Sequence, residues 1–181
     1  MDRTPPRLII LFGPPGAGKS TLAAALAPRL GGVILNSDDV TQPLFGDDRD
    51  SPEYLAARPK LYDALYAIAE TNLGAGVSVL VDAPHGAVLD DAAWHASIEQ
   101  MAGRTGARVA FVRCHCNPAV MRGRVAARGA LRDRAKLAAW DAFIAGQPDW
   151  GGARFPHAII DTARPIAEAT DDALRQLAAL T

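Results

Sequence analysis

The sequence has no excess of charge of either sign and no long apolar run. It holds 19 lysines and arginines against 20 acidic residues, a formal net charge of -1, and so lacks the broad basic surface that binds duplex nucleic acid or anionic lipid. No segment approaches the roughly 18 consecutive apolar residues of a membrane-spanning helix. The first residues also lack the basic and apolar pattern of a secretory signal. We therefore expect a cytoplasmic protein without a membrane partner.

The sequence is also poor in cysteine. Its two cysteines, Cys114 and Cys116, lie two residues apart in an apparent strand, a spacing that rarely closes a disulfide. The intervening His115 would point to the opposite face of that strand, so the three residues do not form the ligand set that zinc requires. We expect buried, reduced thiols here rather than a metal site.

What the sequence does contain is a regular alternation of short apolar runs with longer helical patterns. Its 181 residues, 49% of them apolar, fit a single domain over 1–181. The predicted strands are 7–12, 33–35, 77–84, 107–116 and 157–161, and the predicted helices are 19–30, 51–76, 91–103, 118–128, 136–144 and 165–180. We expect Pro59 to break or kink the start of the second helix. The alternation predicts a three-layer α/β domain with a parallel sheet.

The stretch LFGPPGAGKST, residues 11–21, carries the strongest chemical signal. Its glycines, lysine and serine satisfy the pattern G-x-x-x-x-G-K-[ST] between a strand and a helix. Such a P-loop wraps backbone N–H groups around the β-phosphate of a nucleotide at the positive end of the following helix. Lys19 then places its charge between the β- and γ-phosphates, and the Ser20 hydroxyl coordinates Mg²⁺. The predicted nucleotide-binding residues are Gly13, Gly16, Ala17, Gly18, Lys19, Ser20 and Thr21.

Carboxylates follow the second and third predicted strands, at the sheet edge where open α/β folds bind ligands. In NSDDV, Asp38 is the better candidate to accept a proton from a substrate hydroxyl, whereas Asp39 is able to cap the next helix. In VLVDA, Asp82 matches a Walker B acid that helps to hold Mg²⁺, directly or through water. Starting a turn is the alternative role of Asp82. His85 lies either beside this site or in a surface loop.

A cluster of arginines follows the fourth predicted strand. Its members are Arg122, Arg124, Arg128, Arg132 and Arg134. Guanidinium groups bind phosphate through paired hydrogen bonds and stabilise charge on a transferring phosphoryl group. We predict a short lid over about 129–136 and catalytic roles for Arg128, Arg132 and Arg134. A solvated basic face is the alternative, and Asp133 is available to pair with one of the arginines.

Near the C-terminus, the loop 161–165 joins the last predicted strand to the last predicted helix. In a parallel sheet this loop lies beside the P-loop, which makes it a candidate resting place for the adenine of a nucleotide. Helix capping by Asp161 or Thr162 explains the same residues equally well.

The sequence resembles the small P-loop kinases related to adenylate, shikimate and gluconate kinases. The resemblance rests on four features in this order: a P-loop, an acid after the second strand, a Walker B aspartate and an arginine lid. GPPGAGKST followed by LNSDDV is most similar to the branch of polynucleotide kinases, chloramphenicol phosphotransferase and zeta toxins. The resemblance implies a P-loop NTPase fold with the sheet order 2-3-1-4-5, ATP with Mg²⁺, and the first acid, Asp38, as general base. In RVAAR it implies that Arg124 lies against adenine and Arg128 reaches phosphate.

The segment after the general base departs from two members of this group. Polynucleotide kinases usually carry a basic residue before the acid and an arginine shortly after it, where this sequence has Ser37 and Thr41; this argues against a nucleic-acid acceptor. Nucleoside monophosphate kinases present an arginine in the acceptor-binding helix, for which Arg58 and Lys60 are the candidates. The segment 41–60, which has few basic residues, better suits a neutral or partly apolar hydroxylated acceptor.

These observations predict an ATP- and Mg²⁺-dependent phosphotransferase that moves the γ-phosphoryl group to a hydroxyl of a small molecule, such as a sugar or an antibiotic. Two alternatives stay open: a nucleotide or polynucleotide 5′-hydroxyl kinase, and a nucleotide-binding switch with slow ATPase activity. The sequence also leaves open whether Asp38 or Asp82 is the base, which arginine contacts adenine, and whether ATP or GTP is the donor.

Overall fold

The strands of the protein follow the predicted run of apolar segments. The computed structural model describes residues 4–86, 88–148, 150, 153 and 155–180. The strands are β1 (Arg7–Phe12), β2 (Gly32–Asn36), β3 (Ser78–Asp82), β4 (Arg108–His115) and β5 (Ala158–Asp161). They pair in the order β2-β3-β1-β4-β5, and each of these pairs is parallel. The predicted α/β fold with a five-stranded parallel sheet in the order 2-3-1-4-5 is confirmed.

Helices cover both faces of this sheet. In the described part of the chain they are α1 (Lys19–Leu30), α2 (Ser37–Phe45), α3 (Pro52–Gly74), α4 (Ala92–Thr105), α5 (Pro118–Arg128), α6 (Arg134–Ala138), α7 (Trp140–Ala145) and α8 (Ile166–Ala179), with a 3₁₀ turn at Leu131–Asp133. Ile9 and Leu11 of β1 pack with α1, α5 and α8, whereas Leu8 and Ile10 pack with α3 and α4. Successive side chains of β1 thus point alternately into two hydrophobic cores, one on each face of the sheet. This explains why β1 is apolar throughout. Among the described helices, none has both the length and the apolar character needed to cross a membrane.

Parallel pairing brings the carboxyl ends of the strands to one edge of the sheet. The register places Asp82, at the end of β3, opposite Leu11 of β1 and Asn36 of β2. The P-loop after β1, the start of α2 after β2 and the loop after β3 therefore meet at this edge. The acids that the sequence places after two different strands become neighbours for this reason.

The ends of α5 show that local signals set some helix boundaries. The Asn117 side chain accepts a hydrogen bond from the N–H of Ala119 (2.8 Å), and Pro118 occupies the first helical position. The helix stops at Gly129, which has a φ of 67° and closes the last turn as glycine commonly does. The predicted helix 118–128 and both of its end signals are confirmed.

Two helical predictions are wrong in detail. The helix α3 starts at Pro52 and runs through Pro59 without a break, because the buried side chains of Tyr54 and Leu65 hold it against the protein on both sides of the proline. The predicted helix 136–144 is instead two helices, α6 and α7. They are separated at Ala139, whose backbone is not helical (φ -124°, ψ 45°).

A third difference concerns the segment NSDDV. It forms the start of α2, and the cap of this helix is Asn36 rather than Asp39, because the Asn36 side chain accepts a hydrogen bond from the N–H of Asp38 (2.9 Å). This cap places Asp38 in the first turn of α2, where the exposed N–H groups of the helix favour a negative charge.

Candidate active site

The P-loop turns sharply between β1 and α1. Three of its glycines, Gly13, Gly16 and Gly18, have φ values of 134°, 81° and 84°, which other residues rarely adopt. A Cβ atom added at Gly16 would lie 2.6 Å from the carbonyl oxygen of Met121 in α5. The loop therefore has the shape of a cradle that admits no side chains at these positions, and α1 begins directly after it, as in phosphate-binding loops.

Lys19 folds back over this cradle. Its Nζ donates hydrogen bonds to the carbonyl oxygens of Gly13 (2.9 Å) and Pro14 (3.2 Å). Burial lowers the pKa of Lys19 below its ordinary value, and the nearby Asp82 carboxylate acts in the opposite direction. The N–H of Ala17 is used within the loop, because it donates to the carbonyl of Pro14 (3.1 Å). The Nζ of Lys19 is thus held at the P-loop by carbonyl oxygens of the loop itself.

A cavity of about 300 Å³ opens beside the P-loop. Ser20, in the first turn of α1, and Asp82, at the end of β3, both line it, and Asp82 is only 5% exposed. Hydroxyl and carboxylate oxygens are the donors that Mg²⁺ prefers, so the two residues fit a magnesium site next to the cradle. Thr21, which follows Ser20, is exposed and does not line this cavity.

Asp38 lines the same cavity between two arginines. Its Oδ2 accepts a hydrogen bond from Arg132 (2.5 Å) and its Oδ1 accepts one from Arg49 (3.3 Å). Both guanidinium groups also donate to Oε1 of Gln42, at 2.9 Å and 3.1 Å. The side chain of Asp38 is 45% exposed. Its carboxylate is therefore fixed in position and open to the cavity, as a proton acceptor for a substrate hydroxyl must be.

The segment 129–136, which the sequence predicts to be a lid, is anchored on a buried aspartate. Asp133 is fully buried and accepts hydrogen bonds from Arg128 (2.7 Å) and Lys136 (2.9 Å). Burial raises the pKa of Asp133, but the hydrogen bonds from Lys136 and Arg128 outweigh it and leave the pKa below its ordinary value. The predicted pairing of Asp133 with an arginine is confirmed. Arg128, Arg132 and Lys136 line the cavity, whereas Arg134 is exposed at the start of α6 and does not line it.

Arg124 reaches from α5 to the loop after β5. It donates hydrogen bonds to the carbonyl oxygen (2.6 Å) and hydroxyl (3.1 Å) of Thr162, and to the carbonyl oxygen of Gly16 (3.3 Å). The Thr162 hydroxyl donates in turn to the carbonyl oxygen of Ala17 (2.8 Å). The predicted position of this loop beside the P-loop is confirmed. The alternative interpretation, in which Asp161 or Thr162 caps the last helix, is wrong, because Pro165 occupies the cap position of α8.

Two further candidates lie away from the cavity. Asp39 is exposed and does not line it. His85 is fully buried rather than placed in a surface loop. Its Nδ1 lies 3.2 Å from the Leu11 carbonyl oxygen, to which it donates, and its Nε2 lies 2.8 Å from the Tyr66 hydroxyl, from which it accepts. Burial lowers the pKa of His85 to about 4, so the neutral ring ties the loop after β3 to β1 and α3.

The two cysteines are buried and not joined to each other. Burial raises the pKa of Cys114 to about 12, which makes this thiol a poor nucleophile at neutral pH. Cys116 accepts a hydrogen bond from Arg124 (3.5 Å). Within the described ranges, no group of three or more histidines, cysteines or acids is arranged to hold a metal ion.

Sequence reasoning missed Arg49. It belongs to the connection between α2 and α3, and its guanidinium carbon lies 5.2 Å from the centroid of the Tyr54 ring, a typical distance for a cation over an aromatic face. Both residues line the cavity. The only available signal was one arginine within the acidic run DDRD at 47–50, and no spacing rule connects such a residue to Asp38.

The sheet order, the cradle after β1 and the acids after β2 and β3 together define the P-loop fold of the kinase type. The chain belongs to the AAA domain family, whose profile matches residues 8–148. Among its curated relatives is an uncharacterized protein of Mycobacterium tuberculosis, which is 32% identical over an alignment of 169 residues, with 88% of this chain and 32% of that protein covered. This chain thus spans about a third of the length of the first curated relatives that it matches.

Solved kinase structures share the fold over nearly the whole chain. A gluconokinase from Sinorhizobium meliloti 1021 has a TM-score of 0.62 at 20% identity and covers 98% of this chain and 94% of its own. The APS kinase CysC of Mycobacterium tuberculosis, in complex with AMPPNP and APS, has a TM-score of 0.64 at 20% identity, and the match covers 96% of this chain and 98% of the kinase chain. A sugar kinase from Janibacter sp. HTCC2649 has a TM-score of 0.63 at 19% identity, and the match covers 98% of this chain and 99% of the kinase chain. At these identities the likeness establishes the fold alone.

Proposed function

We propose that this chain is an ATP- and Mg²⁺-dependent phosphotransferase that transfers the γ-phosphoryl group to a hydroxyl of a small molecule. The observation that carries the proposal is a single cavity lined by Lys19, Ser20, Asp82 and Asp38. A nucleotide-binding switch needs the first three of these residues to hold its nucleotide. Asp38 adds a positioned proton acceptor, which a kinase requires and a switch does not.

On the donor side, the N–H groups of the P-loop and the Nζ of Lys19 bind and orient the triphosphate. The Ser20 hydroxyl and the Asp82 carboxylate would hold Mg²⁺, directly or through water. The chemistry that Mg²⁺ would supply there is neutralisation of part of the phosphate charge. Arg128, on the lid side of the cavity, stabilises negative charge that develops on the transferring oxygens.

On the acceptor side, Asp38 accepts the proton of the substrate hydroxyl as its oxygen attacks the γ-phosphorus. The bond between the γ-phosphorus and its bridging oxygen breaks, and ADP leaves with the electron pair. Arg132 contacts Asp38 and belongs to the lid, so it links the proton acceptor to the closing segment. Positioning of this kind supplies most of the rate enhancement in phosphoryl transfer, because the protein forms no covalent bond itself.

Two further points support a kinase that acts on a hydroxyl group. Two of the solved structures with this fold are named as a gluconokinase and a sugar kinase. The acid in the first turn of α2 also supports the finer resemblance to the branch of polynucleotide kinases, chloramphenicol phosphotransferase and zeta toxins, in which that acid is the general base.

Acceptor-dependent formation of ADP tests the proposal. Hydroxylated metabolites, antibiotics and nucleosides are offered in turn with Mg²⁺-ATP or Mg²⁺-GTP, and Lys19→Ala serves as the blank. We expect at least one acceptor to raise ADP formation well above that of the blank. ATP hydrolysis that no acceptor changes, and that a protein partner does change, would contradict the proposal and favour the switch.

A further inference from the structure

Gln42 lies one turn after Asp38 on α2 and is bonded to three other side chains at once. Its Oε1 accepts hydrogen bonds from Arg132 (2.9 Å) and Arg49 (3.1 Å), and its Nε2 donates one to Asp47 (3.1 Å). Gln42 is exposed, and most hydrogen bonds of side chains go to the backbone or to water. Three bonds to other side chains therefore indicate that Gln42 holds parts of the chain together.

Asp47 extends these contacts to the backbone of the segment 129–136. Its Oδ1 accepts the hydrogen bond from Gln42, and its Oδ2 accepts one from the N–H of Leu131 (3.1 Å), the first residue of the 3₁₀ turn. The segment is thus joined to α2 and to the connection after it through the Leu131 backbone and the Arg132 guanidinium. These two bonds link residues 84 and 90 positions apart. We refer to Gln42 and Asp47 as the clasp.

The clasp contacts the same two guanidinium groups that hold Asp38. Arg132 and Arg49 each donate both to Oε1 of Gln42 and to a carboxylate oxygen of Asp38. Residues four positions apart in a helix share a face, which allows Asp38 and Gln42 to bind the same pair of arginines. A long side chain held by one acceptor keeps much of its rotational freedom, and a second acceptor on the next turn restricts it. The orientation of the Asp38 carboxylate therefore depends on Gln42.

The amide of Gln42 binds the two arginines without adding a charge. In the part of the chain that the structure describes, Asp38 is the only carboxylate in an ion pair with Arg49 or Arg132. A carboxylate in the place of Gln42 would compete with Asp38 for both cations. Gln42 and Asp47 do not line the cavity, so they act through the arginines and not by touching a substrate.

We propose that Gln42 and Asp47 are positioning residues of the phosphotransferase. The clasp holds the segment 129–136 on α2 and fixes Arg132, and it thereby fixes the direction in which the Asp38 carboxylate faces the substrate hydroxyl. The inference rests on the proposed function, because an effect on turnover requires Asp38 to be the proton acceptor. A misdirected carboxylate slows proton transfer and leaves the phosphate cradle unaffected. The clasp therefore acts on kcat and not on the affinity for nucleotide.

Amide hydrogen exchange of the ligand-free protein tests whether the clasp holds the segment. The reporter is the N–H of Leu131, which donates to Asp47, and the N–H of Ala119 at the start of α5 is the internal reference. We expect Asp47→Ala and Gln42→Ala to speed exchange at Leu131 about fivefold or more, because the N–H loses its acceptor or the acceptor loses its support. Exchange at Ala119 should stay unchanged.

Steady-state kinetics test whether the clasp positions the proton acceptor. With an acceptor that raises ADP formation, Gln42→Ala should lower kcat about tenfold or more and leave the Kd for Mg²⁺-AMPPNP unchanged. Gln42→Glu keeps the length of the side chain but should also lower kcat, because its carboxylate competes with Asp38 for the arginines. Asp47→Asn keeps one acceptor oxygen, so its kcat should lie between those of the wild type and Asp47→Ala.

Gln100→Ala in α4 and Asp50→Ala in the connection after α2 are the matched controls, because both residues are exposed and neither lines the cavity. The inference is overturned if exchange at Leu131 is equally fast in the wild type and the clasp variants, or if folded Gln42→Ala keeps the kcat of the wild type. A wild-type protein that no acceptor activates would instead contradict the proposed function, and the role of the clasp in turnover with it, even if the exchange rates confirm that the clasp holds the segment. The two failures are therefore distinguishable.

Discussion

In the proposed mechanism, Asp38 is the residue whose chemistry distinguishes a kinase from other nucleotide-binding domains. Asp38→Asn keeps the shape of the side chain but removes its ability to accept a proton. We expect kcat to fall about 100-fold or more, while the affinity for nucleotide stays nearly unchanged because Asp38 does not belong to the P-loop. Acceptor-dependent ADP formation measures kcat, and calorimetry measures the nucleotide affinity.

Asp39→Asn is the matched control for that variant. The two residues are adjacent, but Asp39 is exposed and does not line the cavity, so its loss should leave turnover unchanged. Unchanged turnover in Asp38→Asn would remove Asp38 as the base and leave Asp82 as the remaining carboxylate of the cavity.

His85 makes a prediction about stability rather than catalysis. The folded protein holds it neutral, with a pKa of about 4 against an ordinary value of 6.5. As the pH falls from 7 to 5, the unfolded chain binds a proton at this histidine that the folded chain does not, so the unfolded state is favoured. The free energy of unfolding should fall by about 2 kcal/mol over this range through His85 alone.

Urea denaturation at pH 7 and pH 5 measures this effect against His85→Gln, which does not titrate. The variant should be less stable at pH 7, but its free energy of unfolding should change less between the two pH values. Asp133 does not interfere, because its lowered pKa lies below 3.8 and therefore below the chosen range. An equal loss of stability in both proteins would show that His85 does not bind a proton on unfolding.

At the scale of elements, the sequence predicted the bounds of a helix where local signals, such as a cap residue or a terminal glycine, mark its ends. The strand β1 and the helix α1 have the predicted bounds, and α5 has its cap, its proline and its terminal glycine where the sequence places them. The helix through Pro59 was not predictable, because tertiary packing offsets the cost of the proline. The division between α6 and α7 also lacks a local marker, since it falls at an ordinary alanine, Ala139, next to the buried Trp140.

The segment 129–136, which the sequence predicts to be a lid, is held by the buried carboxylate of Asp133. Asp133→Ala removes the buried partner of Arg128 and Lys136. Those cations are 40% and 30% exposed and can turn to water, so we expect a loss of about 1–3 kcal/mol in the free energy of unfolding rather than the larger cost of a fully buried pair. The same variant should raise the KM for ATP, because Arg128 loses its fixed position.

Chemical denaturation and steady-state kinetics measure the two effects. Asp90→Ala is the control, an exposed aspartate outside the cavity whose removal should change stability by no more than about 0.5 kcal/mol. A stable Asp133→Ala protein with an unchanged KM would show that the lid is held by its packing and not by this carboxylate.

At the scale of the whole molecule, the site depends on contacts between distant parts of the chain. The hydrogen bonds of Arg132 to Asp38 and of Thr162 to Ala17 join residues 94 and 145 positions apart. The parallel sheet made the approach of the last loop to the P-loop predictable, because it requires the strand ends to meet. The hydrogen bonds themselves were not predictable from the sequence, since they depend on side-chain directions that no local pattern encodes. The contact of Arg49 with Asp38 was not predictable for the same reason.

Thr162 offers a test of whether these distant contacts shape the nucleotide site. Thr162→Val keeps the volume of the side chain but leaves the carbonyl oxygen of Ala17 without its donor and Arg124 without one acceptor. We expect the free energy of unfolding to fall by about 1–2 kcal/mol and the Kd for ATP to rise, because the shape of the P-loop is no longer fixed from this side. Denaturation with and without Mg²⁺-ATP measures both quantities.

Thr71→Val is the control for that variant, since the exposed hydroxyl of Thr71 bonds only within α3, to the carbonyl oxygen of Ala67 (3.1 Å). It should change neither the Kd for ATP nor, beyond about 0.5 kcal/mol, the stability. A Thr162→Val protein that is less stable but binds ATP as the wild type does would mean that the cradle keeps its shape through its glycines alone. A rise in Kd in proportion to the lost stability would instead make the loop after β5 part of the nucleotide site.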